Sequence, residues 1–288
     1  MSSLLKTENL CFTYGSGTPF EKHAVKNVNI EIKKGEVIGV IGHTGSGKST
    51  LMQMLNGLIA PTSGKVLLDG NDIHANKKKL RDVRFRVGLV FQYPENQLFE
   101  ETVRKDIAFG PRNMGLPEEA IEKRVKRAAD FAGLKEELLD RSPFDLSGGE
   151  KRRAAIAGVI AMDPEILILD EPTAGLDPMG RDDLLAQIEA YHNARNNTVL
   201  LVSHSMEDIA SIADRVLVMC GGACVMFDET QKVFARSKEL EQMGLRVPEI
   251  TKITTKLREM GVPLSEGILT VEDAFEEIRA ILKKEGKL

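Results

Sequence analysis

The run Gly42-His43-Thr44-Gly45-Ser46-Gly47-Lys48-Ser49 constrains this chain more than any other stretch of it. It reads G-x-x-x-x-G-K-S, the pattern of a loop that wraps the phosphates of a nucleotide. Just before it, Glu36-Val37-Ile38-Gly39-Val40-Ile41 is a short β-branched run bounded by Gly35 and Gly42, as expected of a buried parallel strand. Just after it, Leu51, Met54, Leu55 and Leu58 recur at helical spacing. A glycine-rich turn without chemistry is the competing reading, and the flanking strand and helix weigh against it. In a strand-loop-helix corner the glycines let successive backbone N–H groups turn inward, and the helix N-terminus adds the positive end of its dipole. Lys48 would then reach the β- and γ-phosphates, the Ser49 hydroxyl would ligate Mg²⁺, and Thr50 would extend the cradle.

Composition narrows the partners. The chain has 288 residues, 42% hydrophobic and 28% charged, enough for one large or two modest globular domains. Its net charge of −4 does not single out nucleic acid as an electrostatic partner, and none is expected. Cys11, Cys220 and Cys224 make no disulfide framework, which fits a reducing compartment. Cys220 and Cys224 flank Gly221-Gly222 and read as hairpin packing, not as a metal site. No apolar run approaches the ~18 residues of a membrane span, and the N-terminus lacks the pattern of a signal peptide. Any membrane role is therefore expected to be peripheral.

Taken in order, residues 4–14 and 24–32 alternate like strands with one exposed face. Tyr14 closes the first of them. Its ring can stack on an adenine or pack at a strand edge, and spacing leaves both open. The basic run Lys77, Lys78, Lys79, Arg81, Arg84 and Arg86 reads as a solvated face. Val87-Gly88-Leu89-Val90-Phe91 is a second buried strand, ending at Gln92. From about 100 to 160 helical periodicity replaces the β-branched runs. Within that stretch Leu146-Ser147-Gly148-Gly149-Glu150 is expected to form a loop that starts a helix over 151–162.

Strands return with Ile166-Leu167-Ile168-Leu169, closed by Asp170 and Glu171. Four apolar residues ending in a carboxylate make a Walker B strand, with Asp170 holding Mg²⁺ and Glu171 placed to polarise an attacking water. A tight turn Ala174-Gly175-Leu176-Asp177 comes next. A further buried run, Thr198-Val199-Leu200-Leu201-Val202-Ser203, delivers His204 at its carboxyl end, where open α/β sheets bind ligands. Beyond a terminal hairpin and Asp228 the chain turns helical. There Thr270-Val271-Glu272-Asp273 caps a helix with Phe275, Ile278 and Leu282 as its apolar stripe.

Residues 42–49, Gln92, 146–150, 166–171, 174–177 and His204, in this order and separation, resemble the ATPase subunit of ABC transporters across residues 4–228. L-S-G-G followed by a Walker B strand makes the match specific. The resemblance implies an α/β P-loop NTPase of the ABC type. Its parts would be a RecA-like core, an antiparallel β subdomain, a helical subdomain at about 100–160 and a C-terminal helical extension. The expected division is 1–228 for ATP binding and 229–288 for dimerisation. By the same resemblance Tyr14 stacks on adenine and Gln92 couples the lobes near Mg²⁺. Glu171 is the catalytic base beside His204, and Asp177 touches the partner subunit. Ser147, Gly148 and Gly149 cap the ATP held by that partner. Glu150 stands where many members carry Gln.

A narrower resemblance rests on Gly17-Thr18-Pro19-Phe20-Glu21-Lys22, on Phe91-Gln92-Tyr93-Pro94-Glu95-Asn96-Gln97-Leu98-Phe99 and on Phe109-Gly110-Pro111-Arg112-Asn113. These look like the CbiO-like A components of energy-coupling factor (ECF) transporters, and the Thr18-Pro19-Phe20 loop like the second of two paralogous A subunits. The resemblance implies an ATP- and Mg²⁺-dependent ATPase, paired with a paralogue. It would sit on the cytoplasmic face of the membrane with a coupling T component and a substrate-capturing S component. The competing readings are an ABC importer for cobalt, nickel or another ion, and a soluble ABC ATPase outside transport.

Overall fold

The structure, a computed structural model, describes residues 3–284; the outermost ends of the two expected domains, 1–2 and 285–288, lie outside the described residues. Two sheets organise the chain. The first strand, β1 (Ser3–Tyr14), is long enough to pair antiparallel with three others: β2 (Lys22–Val28), β3 (Glu31–Lys33) and β5 (Ser63–Leu68), which in turn pairs with β6 (Asn71–Asp72). Residues 24–32 are expected as one strand and are found as two. Asn27 takes a left-handed φ of 48°, and the break after Val28 is bridged by a side chain. The Thr7 hydroxyl donates to the Val28 carbonyl (2.8 Å) and accepts from the Ile30 N–H (3.0 Å), replacing ladder bonds that the bend removes.

The second sheet has six strands. It centres on β4 (Val37–Ile41), with β7 (Val87–Val90), β8 (Ile166–Asp170), β9 (Thr198–Val202), β10 (Arg215–Cys220) and β11 (Ala223–Glu229) in the order β11-β10-β4-β9-β8-β7. All but the β10–β11 hairpin pair in parallel. β4, β7, β8 and β9 are buried from end to end, which is why they read as unbroken apolar runs. One face is covered by α1 (Lys48–Leu55) and the antiparallel sheet, which share a core that includes Ile38, Val40, Leu51, Met52 and Leu55. α2 (Leu80–Arg86) runs into β7, and around it Lys77, Lys78 and Lys79 are exposed, while Arg86 is paired with Asp69 and Glu165. The other face carries α6 (Pro178–Arg195), α7 (Met206–Ile212) and a helical layer of α3 (Val103–Asn113), α4 (Glu118–Phe131) and α5 (Gly148–Ile160).

α5 starts three residues earlier than the sequence pattern suggests. Ser147 is its N-cap, accepting from the Glu150 N–H (3.4 Å), and the Glu150 carboxylate accepts from the Ser147 N–H (2.9 Å). This reciprocal capping draws both signature glycines into the first helical turn. Cys224, in the hairpin, is half-buried, and burial pushes its thiol up to about 11. No cluster of three or more His, Cys, Asp or Glu suited to a metal occurs among the described residues.

After β11 come α8 (Thr230–Ala235), α9 (Ser237–Gln242), α10 (Glu249–Glu259) and α11 (Val271–Lys284). Val233, Phe234, Leu240, Leu245 and Val247 join the core of the main body, whereas Leu264, Ile268 and Ala274 form a small core of their own with Ile278 and Ile281 packed on it. The stripe expected from Phe275, Ile278 and Leu282 is therefore rotated. Ala274, Ile278 and Ile281 face inward, and Phe275 is 59% exposed. Thr270 caps α11 by accepting from the Asp273 N–H at 3.0 Å.

Candidate active site: a phosphate cleft at the carboxyl edge of the parallel sheet

The loop after β4 turns into α1 through Gly47, which has a left-handed φ of 100°. A Cβ there would stand 2.2 Å from the Ala24 carbonyl oxygen, so only glycine allows this approach. The loop opens into a cleft of about 440 Å³ lined by Thr44, Gly45, Gly47, Lys48, Ser49, Thr50, Gln92, Glu171 and His204. Three strand ends supply the last three residues. Gln92 follows β7, Glu171 follows β8 and His204 follows β9, so parallel pairing alone brings them together.

Lys48 is buried, and its ammonium donates to the carbonyls of Gly42 (2.6 Å) and His43 (3.1 Å). Burial pushes its pKa below the ordinary lysine value, while Glu171 and Asp170 pull it back up. Across the cleft Glu171 is held from two sides. Its Oε2 accepts from the Gln92 amide at 2.9 Å, and its Oε1 lies 2.7 Å from His204 Nε2. The backbone of Glu171 has a left-handed φ of 53°, a conformation that costs a non-glycine residue roughly 1–3 kcal/mol. Its N–H offsets part of that cost by donating to the Val202 carbonyl (3.0 Å), so β9 fixes where the carboxylate starts.

Asp170, the last residue of β8, is 5% exposed, and its Oδ1 has no hydrogen-bond partner. Burial pushes its carboxyl up, a hydrogen bond from Ser49 draws it down, and Glu171 pushes it up again. A buried carboxylate oxygen without a partner, beside a hydroxyl, is the donor set of a hard divalent cation. These residues fit Mg²⁺.

Other residues singled out in the sequence lie elsewhere. Tyr14 sits at the rim, 43% exposed, its hydroxyl 3.2 Å from Thr50 Oγ1 and its ring edge-on to Phe12. Ser46 is buried, with its Oγ unpartnered. The His43 ring points out of the cleft and bonds the carbonyl of Met243, 200 residues on, with Gly244 packed against it. Ser147, Gly148 and Gly149 line no part of the cleft; their loop stands at the outer tip of α5, and nothing lies within 4 Å of where a Cβ would project from either glycine. Asp177 caps α6, accepting from the Gly180 N–H at 2.7 Å. Glu95, inside the Phe91–Phe99 stretch, and Arg152, two residues after Glu150, are given no role by the sequence, yet the structure joins them, and no periodicity signals it.

A phosphate loop, a Walker B strand and an L-S-G-G helix tip on one chain define an ATP-binding cassette ATPase. The family described as ABC transporter matches residues 25–174. The energy-coupling factor transporter ATP-binding protein EcfA2 of Clostridium tetani is 55% identical over 283 residues, covering 98% of each chain. The protein of the same name from Bacillus subtilis is 50% identical over 274 residues, covering 94% of this chain and 99% of its own. Among solved structures, cbiO1 from Clostridium perfringens, described as part of the ABC transporter complex cbiONQ, superposes with a TM-score of 0.74. It is 40% identical, over 88% of this chain and all of that one. Dimeric MJ0796, a bacterial ABC transporter cassette, gives 0.71 at 28% identity over 78% of this chain and 98% of its own. The chain belongs to the ABC transporter family, among its energy-coupling factor transporter ATP-binding proteins.

Proposed function

We propose that this chain binds and hydrolyses ATP to drive an ECF-type micronutrient importer, acting as one of two paralogous ATPase subunits beneath membrane T and S components. The observation that carries the reading is the cleft itself: Glu171 pinned between Gln92 and His204, facing the loop that holds Lys48. ATP would seat its phosphates on residues 42–50, drawing Lys48 away from the Gly42 and His43 carbonyls, with adenine stacked on Tyr14. Mg²⁺, held by Ser49, Asp170 and Gln92, would supply charge neutralisation at the phosphates. Glu171 takes the proton of the attacking water. Gln92 and His204 keep its carboxylate aimed, and the His204 ring would face the γ-phosphate.

Ser147, Gly148 and Gly149 would serve the ATP of the other subunit, a reading supported by their absence from the lining of the chain's own cleft, and Asp177 would lie at the same seam. The tail, residues 229–288, supports the pairing through exposed Ile253, Met260, Val271 and Phe275. For the membrane coupling subunit, an apolar groove of about 300 Å³ runs between the segment after Gln92 and the helical layer. Its lining includes Leu98, Val159 and Met162, together with Phe99 and Phe109, whose rings meet edge to face at 5.0 Å. No helix among the described residues is long and apolar enough to cross a membrane, so attachment to the cytoplasmic face would run through that groove.

Detergent extraction of native membranes with a tag on this chain tests the assembly. Co-purification of a second A-type ATPase and integral membrane subunits is the expected result. A complex with two copies of this chain and no second ATPase would end the heterodimer, and recovery without any membrane protein would end the transporter role.

A further inference from the structure

Arg152, five residues into the helix that Ser147 caps, is 4% exposed and directs its N–H groups at two other segments. Its Nε and Nη2 hold the two carboxylate oxygens of Glu95 at 3.2 and 2.9 Å. Its Nη1 donates to the carbonyls of Pro172 (3.2 Å) and Ala174. Glu95 sits three residues after Gln92, in the short turn Pro94–Gln97, and is itself largely covered, at 21% exposure. Pro172 directly follows Glu171, and Ala174 lies two residues further on. One guanidinium therefore ties the helix bearing the signature tip to the segment bearing Gln92 and to the segment bearing Glu171.

We propose that Arg152 and Glu95 are a positioning pair that holds Gln92 and Glu171 in register with the signature tip. Movement of the tip onto a partner's ATP is thereby transmitted to the hydrolytic residues of the chain's own cleft. The proposal rests on the reading of Gln92 and Glu171 as hydrolytic residues. Neither member of the pair lines the cleft, so neither contributes to nucleotide affinity. A planar, five-donor fork is needed to reach a carboxylate and two carbonyls at once, which lysine cannot do. Misplacing a base by about 1 Å costs up to about 100-fold in rate.

The test uses the full chain in its transporter complex, with Arg152→Lys, Glu95→Gln and the double variant, each close in volume to the native side chain. Expected are a fall in kcat of at least about tenfold for Arg152→Lys and a smaller fall for Glu95→Gln. The ATP KM should stay within about threefold and the unfolding midpoint within a few degrees. The double variant should be no slower than Arg152→Lys alone, because the two act as one unit. Unchanged kcat in both single variants overturns the proposal. So does a double variant whose loss is the product of the single losses, or a loss of kcat matched by a loss of nucleotide-binding sites, which marks a merely structural pair. Wild-type turnover that survives Glu171→Gln would instead overturn the underlying reading of the cleft, a result separable from the others.

Discussion

In the cleft, Lys48 is answered from within the chain by two carbonyls and Glu171 by Gln92 and His204, while Asp170 Oδ1 is left without a partner. At the tip of α5 the reverse holds. Ser147 and Glu150 cap each other, and the two glycines between them border open space. The first region is answered largely from within the chain. The second turns the first N–H groups of a helix toward open space, where the proposed partner subunit would bring the phosphates of its ATP. Glu150 explains itself in this light. Its carboxyl is held below the ordinary range by the Ser147 hydroxyl and N–H, so its charge is engaged in the cap.

The largest effect should come from the closed region. Glu171→Gln keeps the shape but cannot take a proton from water, and a drop in kcat of roughly 10²–10⁴ is expected while ATP remains bound. Turnover within about threefold of wild type would remove Glu171 from the role of base. The open region should break differently. Ser147→Arg is expected to silence the site whose phosphate loop belongs to the partner, and Lys48→Ala the opposite one. Assembling each variant with wild-type paralogue, then both changes in one chain, separates them; two half-active complexes and one inactive complex is the expected pattern.

Tyr14→Ala lies at the rim of the closed region and should raise the ATP KM with little change in kcat. Stacking on a base is worth roughly 1–3 kcal/mol and is the same in ground and transition states. Steady-state kinetics decide, and an unmoved KM would return Tyr14 to packing against Phe12. The smallest effect on chemistry should come from ending the chain at residue 249. That cut leaves Val233, Phe234, Leu240, Leu245, Val247 and the Met243 contact to His43 in place. Sizing should show weaker association between ATPase subunits, with nucleotide affinity retained. Removing everything after 228 is a worse experiment, since it strips residues from the main core.

Much of the site is legible in the sequence because its signals are local. The phosphate loop and the apolar strand ending in Asp170 and Glu171 are each specified by backbone requirements within a short stretch, whereas the Ser147 cap starts α5 inside the segment 146–150 that the sequence presents as a loop. The break at Asn29 is not legible, because the apolar alternation continues across it and a side chain from another strand, Thr7, makes the bend possible. The rotated stripe of α11 escapes for a different reason: period alone does not say which side of a wide apolar arc meets a neighbour.

By itself the sequence determined the fold class, the phosphate loop and the chemical types needed for ATP hydrolysis, since periodicity and turn chemistry act along the chain. Only the tertiary structure decided which groups meet. Gln92 reaches Glu171 from 79 positions away, Arg152 finds Glu95 at 57, and His43 holds Met243 at 200. Those contacts depend on strand order and on how the helical layer docks onto the sheet. A side chain carries no local signal of the partner that docking will bring to it.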